Sequence, residues 1–154
     1  MTNQAERGPM AAISFAEKTT WVYGAVTLVS YGAYVAMVLN RAHGGPLADV
    51  AYVGPMLGAF GGAMVAGILA QILITTIWPR EGDRKDERDT AIDRYGDVIG
   101  YWVSSAGVMG ALLLTMANFD RFWIANTIYL AYVLAALVST AAKLMAHRRG
   151  FAPW

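Results

Sequence analysis

The 154-residue chain has no cysteine. Disulfides, thiolate nucleophiles and cysteine-ligated metal sites are therefore excluded together. Histidine is almost as scarce: His43 and His147 are the only two, and they form no H-x-x-x-H spacing. Charge is also thin, with 15% Asp, Glu, Lys and Arg and a net charge of +1. So small a surplus offers no general attraction to nucleic acid. The most telling absence is local. Residues 19–40, 50–78, 98–118 and 122–142 contain no charged side chain at all.

Each of these runs reaches the roughly 20 helical residues needed to cross about 30 Å of hydrocarbon. Hydrophobic residues make up 56% of the chain and glycine supplies 16 positions, both in keeping with transmembrane helices. The expected fold is an all-α membrane protein, an antiparallel four-helix transmembrane bundle. The first run is too long for the apolar core of a signal peptide and no small-residue cleavage site follows it, so it reads as a retained span. Residues 1–18 then form an N-terminal tail, 19–149 the membrane domain, and 150–154 a C-terminal tail.

Lysine and arginine set the expected orientation. Ten of the 12 lie in the N-terminal, middle and C-terminal segments, whereas the two hairpin loops carry only Arg41 and Arg121. The positive-inside rule puts both termini and the loop or helix at 79–97 in the cytoplasm, with the third span extended inward by that charged helix. Trp21, Trp78, Tyr101 and Trp102 are expected to make an inner aromatic belt, and Tyr52, Phe119, Phe122 and Trp123 an outer one. In the first hairpin, Gly44, Gly45 and Pro46 mark a turn and Asp49 is placed to cap the second helix. Pro55, one turn inside that helix, is expected to kink it. The three residues "FDR" between spans three and four make those helices antiparallel neighbours.

Span two carries small residues every four positions: Gly54, Gly58, Gly62, Ala66 and Ala70. Such a stripe allows close backbone approach, either within the chain's own bundle or across a homo-oligomer or partner-subunit interface. A shorter stripe of Gly96, Gly100 and Ser104 opens span three, with Gly107 and Ala111 on an adjacent face.

The stretch "KDERDTAID" at 85–93 holds six charged side chains in nine positions. On a helix, Asp86, Asp89, Asp93 and Asp97 share one face. Three readings follow: a solvated, internally paired helix, a protein-docking face, or a hard-cation site. The calcium-loop pattern fails, because Arg88 and Arg94 stand where glycine and glutamate are required. Ser104, Ser105 and Thr115 have no accompanying base and read as helix hydroxyls. No ionisable residue lies deep in a span, which disfavours an ion-coupled carrier. Gln71 and Asn126 are the intramembrane polar residues, read as interhelical hydrogen-bonding groups. His147, beside Arg148 and Arg149, reads as part of a basic, lipid-facing anchor.

Asp86, Glu87, Arg88, Asp89 and Ile92, followed by Gly96, Ile99 and Gly100, resemble the D-E-R-D-x-x-I signature of small, uncharacterised four-span bacterial integral membrane proteins. Glu17, Lys18 and Trp21 before span one, and "FWIANTIYLA" at 122–131, are similar to a subgroup from high-GC Gram-positive bacteria. That resemblance implies a multi-pass protein of the bacterial cytoplasmic membrane and no particular activity. Without a catalytic, cofactor or metal constellation, the expectation is a non-enzymatic interaction or accessory protein. Asp86, Glu87, Arg88, Asp89 and Asp93 would dock a membrane or cytoplasmic protein partner. The alternative is a homo-oligomeric channel or transporter, assembled on the span-two stripe and lined by Gln71 or Asn126.

Overall fold

The computed structural model describes residues 15–77 and 87–149. They form four helices: α1 (Phe15–Ala42), α2 (Val53–Ile77), α3 (Glu87–Met116) and α4 (Arg121–Arg149). Each is long and apolar enough to cross a membrane. The charged stretch and the third apolar run are one continuous helix. At 30 residues, α3 is about 45 Å long and outreaches ordinary hydrocarbon by several turns. α1 begins at Phe15, inside the segment read as a tail, and α4 continues two turns past residue 142 to Arg149. Trp78, Asp86 and both chain ends lie outside the described residues.

The helices stand in the order α2–α1–α4–α3. α2 packs on α1, α1 on α4, and α4 on α3. A closed bundle would also pack α2 along α3, yet among the described residues these consecutive helices share no extensive contact. The expected bundle is thus an open array. All three contacts are antiparallel: Tyr23 of α1 meets Gln71 of α2, and Arg41 at the end of α1 meets Ala51 just before α2. Tyr34 meets Asn126 while Glu17 meets Arg148 across α1 and α4. Gly110 approaches Thr127 while Gly96 approaches Lys143 across α3 and α4.

α2 shows why the array can stay open. Its large apolar side chains point outward on nearly every side: Leu57, Phe60, Met64, Val65, Ile68, Leu69, Ile72 and Leu73 are all exposed. Only Pro55, Ala59, Gly67 and Ile74 are buried. A helix apolar all the way round has no wet face to hide from lipid, so a single neighbour suffices.

The hairpin connections follow local chemistry. His43 and Gly44 take left-handed backbone conformations (φ 46° and 82°) after α1, and the Gly45 amide donates to the Ala42 carbonyl at 2.7 Å. Asp49 does not cap α2. It ends a short 3₁₀ turn, Leu47–Asp49, and the chain runs extended through Val50 before α2 starts at Val53. Pro55 consequently sits in the first turn of α2, where its missing amide would have no helical partner, and no kink is required of it. α3 ends with Asn118 left-handed (φ 56°), the Phe119 amide on the Leu114 carbonyl and the Asn118 amide on Thr115. This pair of bonds is a Schellman motif, with asparagine in the place glycine commonly takes.

Tyr34, Val38, Ala59 and Phe122 form a buried cluster, with Tyr52, Met56 and Tyr129 packed around it. Of the residues expected in an outer aromatic belt, Phe122 belongs to the interior and Tyr52 is half-buried against it. Phe122 is buried and meets Tyr52 edge-to-face at 5.2 Å, a favoured aromatic geometry. Phe119 and Trp123 are exposed at that end, as are Trp21, Tyr101 and Trp102 nearer the other.

Candidate functional site

Charge gathers where α1 and α3 begin and α4 ends. Acidic residues on α3's first turns complement its positive end, and basic residues on α4's last turns complement its negative end. Because the helices are antiparallel, these two sets lie side by side. Lys143 Nζ is 2.8 Å from Asp97 and 3.5 Å from Asp93. His147 Nδ1 lies 3.9 Å from Asp89, and Arg148 Nε lies 3.5 Å from Glu17 of α1. Arg148 also stands over the Trp21 ring, 6.0 Å from its centroid, within cation–π range. One stretch of α4 thus grips both of its neighbours.

Gly96 makes the Lys143 contact possible. A Cβ there would lie 2.5 Å from Lys143 Cγ and 2.6 Å from its Cε. The lysine stem lies flat in this notch, and only 17% of the side chain is exposed. The apolar stem is covered while the ammonium reaches two carboxylates one helical turn apart.

The proposed docking residues are divided by this arrangement. Asp89 and Asp93 face α4 and are engaged there, at 21% and 27% side-chain exposure. Glu87 and Arg88 are exposed, and Asp86 lies outside the described residues. A helix paired by its own basic residues is not the arrangement seen: Asp93 and Asp97 meet Lys143 of α4, and Asp89 faces His147 of α4. His147 is not a lipid-facing anchor: its side chain is only 9% exposed and turned toward α3. Among the described residues no group of three His, Asp or Glu is placed to hold a metal ion.

The two intramembrane polar residues do join helices. Tyr34 Oη donates to Asn126 Oδ1 at 2.6 Å, and Asn126 Nδ2 donates to the Phe122 carbonyl at 2.8 Å. Tyr23 Oη approaches Gln71 Oε1 at a longer 3.5 Å. Asn126 lies between α4 and α1, whereas Gln71 lies between α2 and α1, so they do not line one common path. Ser104 and Thr115 donate back to the Tyr101 and Ala111 carbonyls, each at 2.9 Å. Sequence reasoning missed Tyr34 and its neighbours. Tyr31, Tyr34 and Tyr129 pack with ring centroids 5.1–6.1 Å apart, and tyrosines spread over two helices leave no one-dimensional pattern.

Among the described residues most of the span-two stripe packs against nothing. Gly54, Gly58, Gly62 and Ala66 are exposed, Ala70 is half-buried, and a Cβ on any of these three glycines would meet nothing within 4 Å. The weaker-looking stripe does the packing instead. A Cβ on Gly107 would collide with Ala131, and one on Gly100 would lie 3.2 Å from the Ala135 carbonyl oxygen. Compared with known proteins, the chain matches no family model, no curated protein and no solved structure.

Proposed function

We propose that the protein is a multi-pass protein of the bacterial cytoplasmic membrane, with both termini cytoplasmic, that acts as a non-enzymatic interaction or accessory protein. The ten-to-two distribution of lysine and arginine supports this orientation, and the D-E-R-D-x-x-I resemblance supports the cellular setting. The carrying observation is the division of the charged end. Asp89 and Asp93 are engaged by α4, whereas Glu87 and Arg88 are exposed at the start of a helix longer than the hydrocarbon core. These two residues are the docking pair for a cytoplasmic protein.

Exchanging their charges, Glu87→Arg with Arg88→Glu, keeps net charge constant and leaves the α3–α4 ion pairs in place. Partner recovery from gently solubilised membranes should fall at least tenfold, with membrane insertion unchanged. Recovery at the wild-type level would exclude this pair as the docking face. A second reading has its own observation: the open glycines of α2 leave room for another copy or a partner helix, as a homo-oligomeric channel or transporter would need. Gly58→Leu then lowers the oligomeric state in native mass spectrometry. A wild-type protein that is monomeric there removes this second reading.

A further inference from the structure

We propose that His147 makes the α3–α4 contact at the charged end a pH-dependent clasp, closed more firmly when the imidazole is protonated. Three basic side chains of α4 reach acidic partners, and two of them, Lys143 and Arg148, keep their charge throughout the physiological range. Imidazole is the side chain that changes charge between about pH 5 and 8. Its position is what matters here. His147 Nδ1 is 3.9 Å from Asp89 Oδ1, and the side chain is 91% withdrawn from solvent, being 9% exposed. Among the described residues Nε2 is buried with no hydrogen-bond partner. Nδ1 facing Asp89 is thus the polar contact seen between this ring and α3, and it lies beyond hydrogen-bond reach.

The surrounding charges fix the sign. From α3 the imidazole faces Asp89, which has no other ion-pair partner among the described residues. Asp93, one turn further on, is engaged by Lys143. From α1 the nearby charged residues are Glu17, engaged by Arg148, and Lys18. On α4 itself, Lys143 and Arg148 flank His147, and each has an acidic partner of its own. Asp89 is the carboxylate left for His147 to neutralise. α4's negative end also favours a cation in its last turns. Protonation thus converts a weak dipolar contact into an ion pair on an unshared carboxylate. Deprotonation leaves Asp89 facing a neutral ring. The proposal stands whether or not Glu87 and Arg88 dock a partner.

The test is hydrogen–deuterium exchange on the full chain in lipid nanodiscs, read over Ala91 to Asp97 and corrected for the intrinsic pH dependence of exchange. Wild type should be about threefold to tenfold better protected at pH 5.5 than at pH 8, the range of a partly buried helix-terminal imidazolium. His147→Gln should abolish the difference. Asp89→Asn should abolish it too, by removing the partner and not the ring. His147→Lys should keep the protected state at both pH values. Equal protection of wild type at the two pH values, weaker protection at pH 5.5, or a difference that survives in His147→Gln or Asp89→Asn would overturn the proposal.

Discussion

Two glycine-rich stripes run along this molecule, and the more regular one is not the one that packs. On α2, Gly54, Gly58, Gly62, Ala66 and Ala70 repeat every four residues, yet four of the five are exposed. On α3, Gly96, Gly100, Gly107 and Ala111 repeat unevenly, and all lie against α4 or in the buried seam. Helix geometry accounts for the difference. At 3.6 residues per turn, each four-residue step overshoots by about 40°, so the α2 stripe winds through about 160°. Only its last member, Ala70, is half-buried. The α3 steps of four, seven and four residues largely cancel and stay within about 60° of one line. A long antiparallel contact needs the second kind. A stripe of the first kind suits only a short crossing at a steep angle, as in small-residue helix dimers.

Substitution separates the two stripes, beginning with the largest expected effect. Gly107→Leu must force α3 and α4 apart at Ala131, and should cost about 3 kcal/mol or more, the upper end for overpacking. Thermal unfolding in mild detergent reads this directly. Wild-type stability in that variant would mean the seam is not packed as described. Lys143→Met keeps the stem over Gly96 while removing the charge between Asp93 and Asp97. A loss of about 1–2 kcal/mol is expected, between the values for exposed and buried pairs, and added salt should narrow the gap from wild type. No change in a denaturant titration would show the ammonium to be dispensable.

Smaller effects sharpen the same contrast. Tyr34→Phe removes one interhelical bond to Asn126 and should cost about 0.6 kcal/mol, the average measured for such bonds in membranes. A double-mutant cycle with Asn126→Ala checks that the loss belongs to this pair: the two substitutions together should cost less than their sum. Gly58→Leu, on the open stripe, should leave monomer stability within about 0.5 kcal/mol of wild type. A large loss there would place α2 against another helix of the same chain and contradict the open array.

Part of the charged end was legible in one dimension. The short link between α3 and α4 is centred between Asn118 and Phe119, so facing residues of this hairpin have numbers adding to about 237. The observed pairs obey this within three: Asp89 with His147, Asp93 and Asp97 with Lys143, Gly107 with Ala131, and Gly110 with Thr127. Of the four aspartates that the sequence places on one face, the same rule sets Asp89, Asp93 and Asp97 against α4. Reading His147 together with its sequence neighbours Arg148 and Arg149 obscured this, because adjacent residues on a helix point in different directions. Arg148 does turn elsewhere, to Glu17 and Trp21 on α1.

What the sequence determined by itself is the set of four long helices and the concentration of charge at one end. A charge-free run of twenty residues is long enough to span hydrocarbon, and a helix satisfies its own backbone groups there. Tertiary structure alone decided the order α2–α1–α4–α3, the outward turn of the α2 glycines and the joining of Tyr34 to Asn126. The physical reason is that lipid tails are as apolar as leucine. A soluble helix records its buried side as a hydrophobic stripe, but α2 is apolar in every direction and carries no such record. Its neighbour is selected by shape, by how closely Ala59 and Gly67 let α1 approach, and that is a property of two surfaces together.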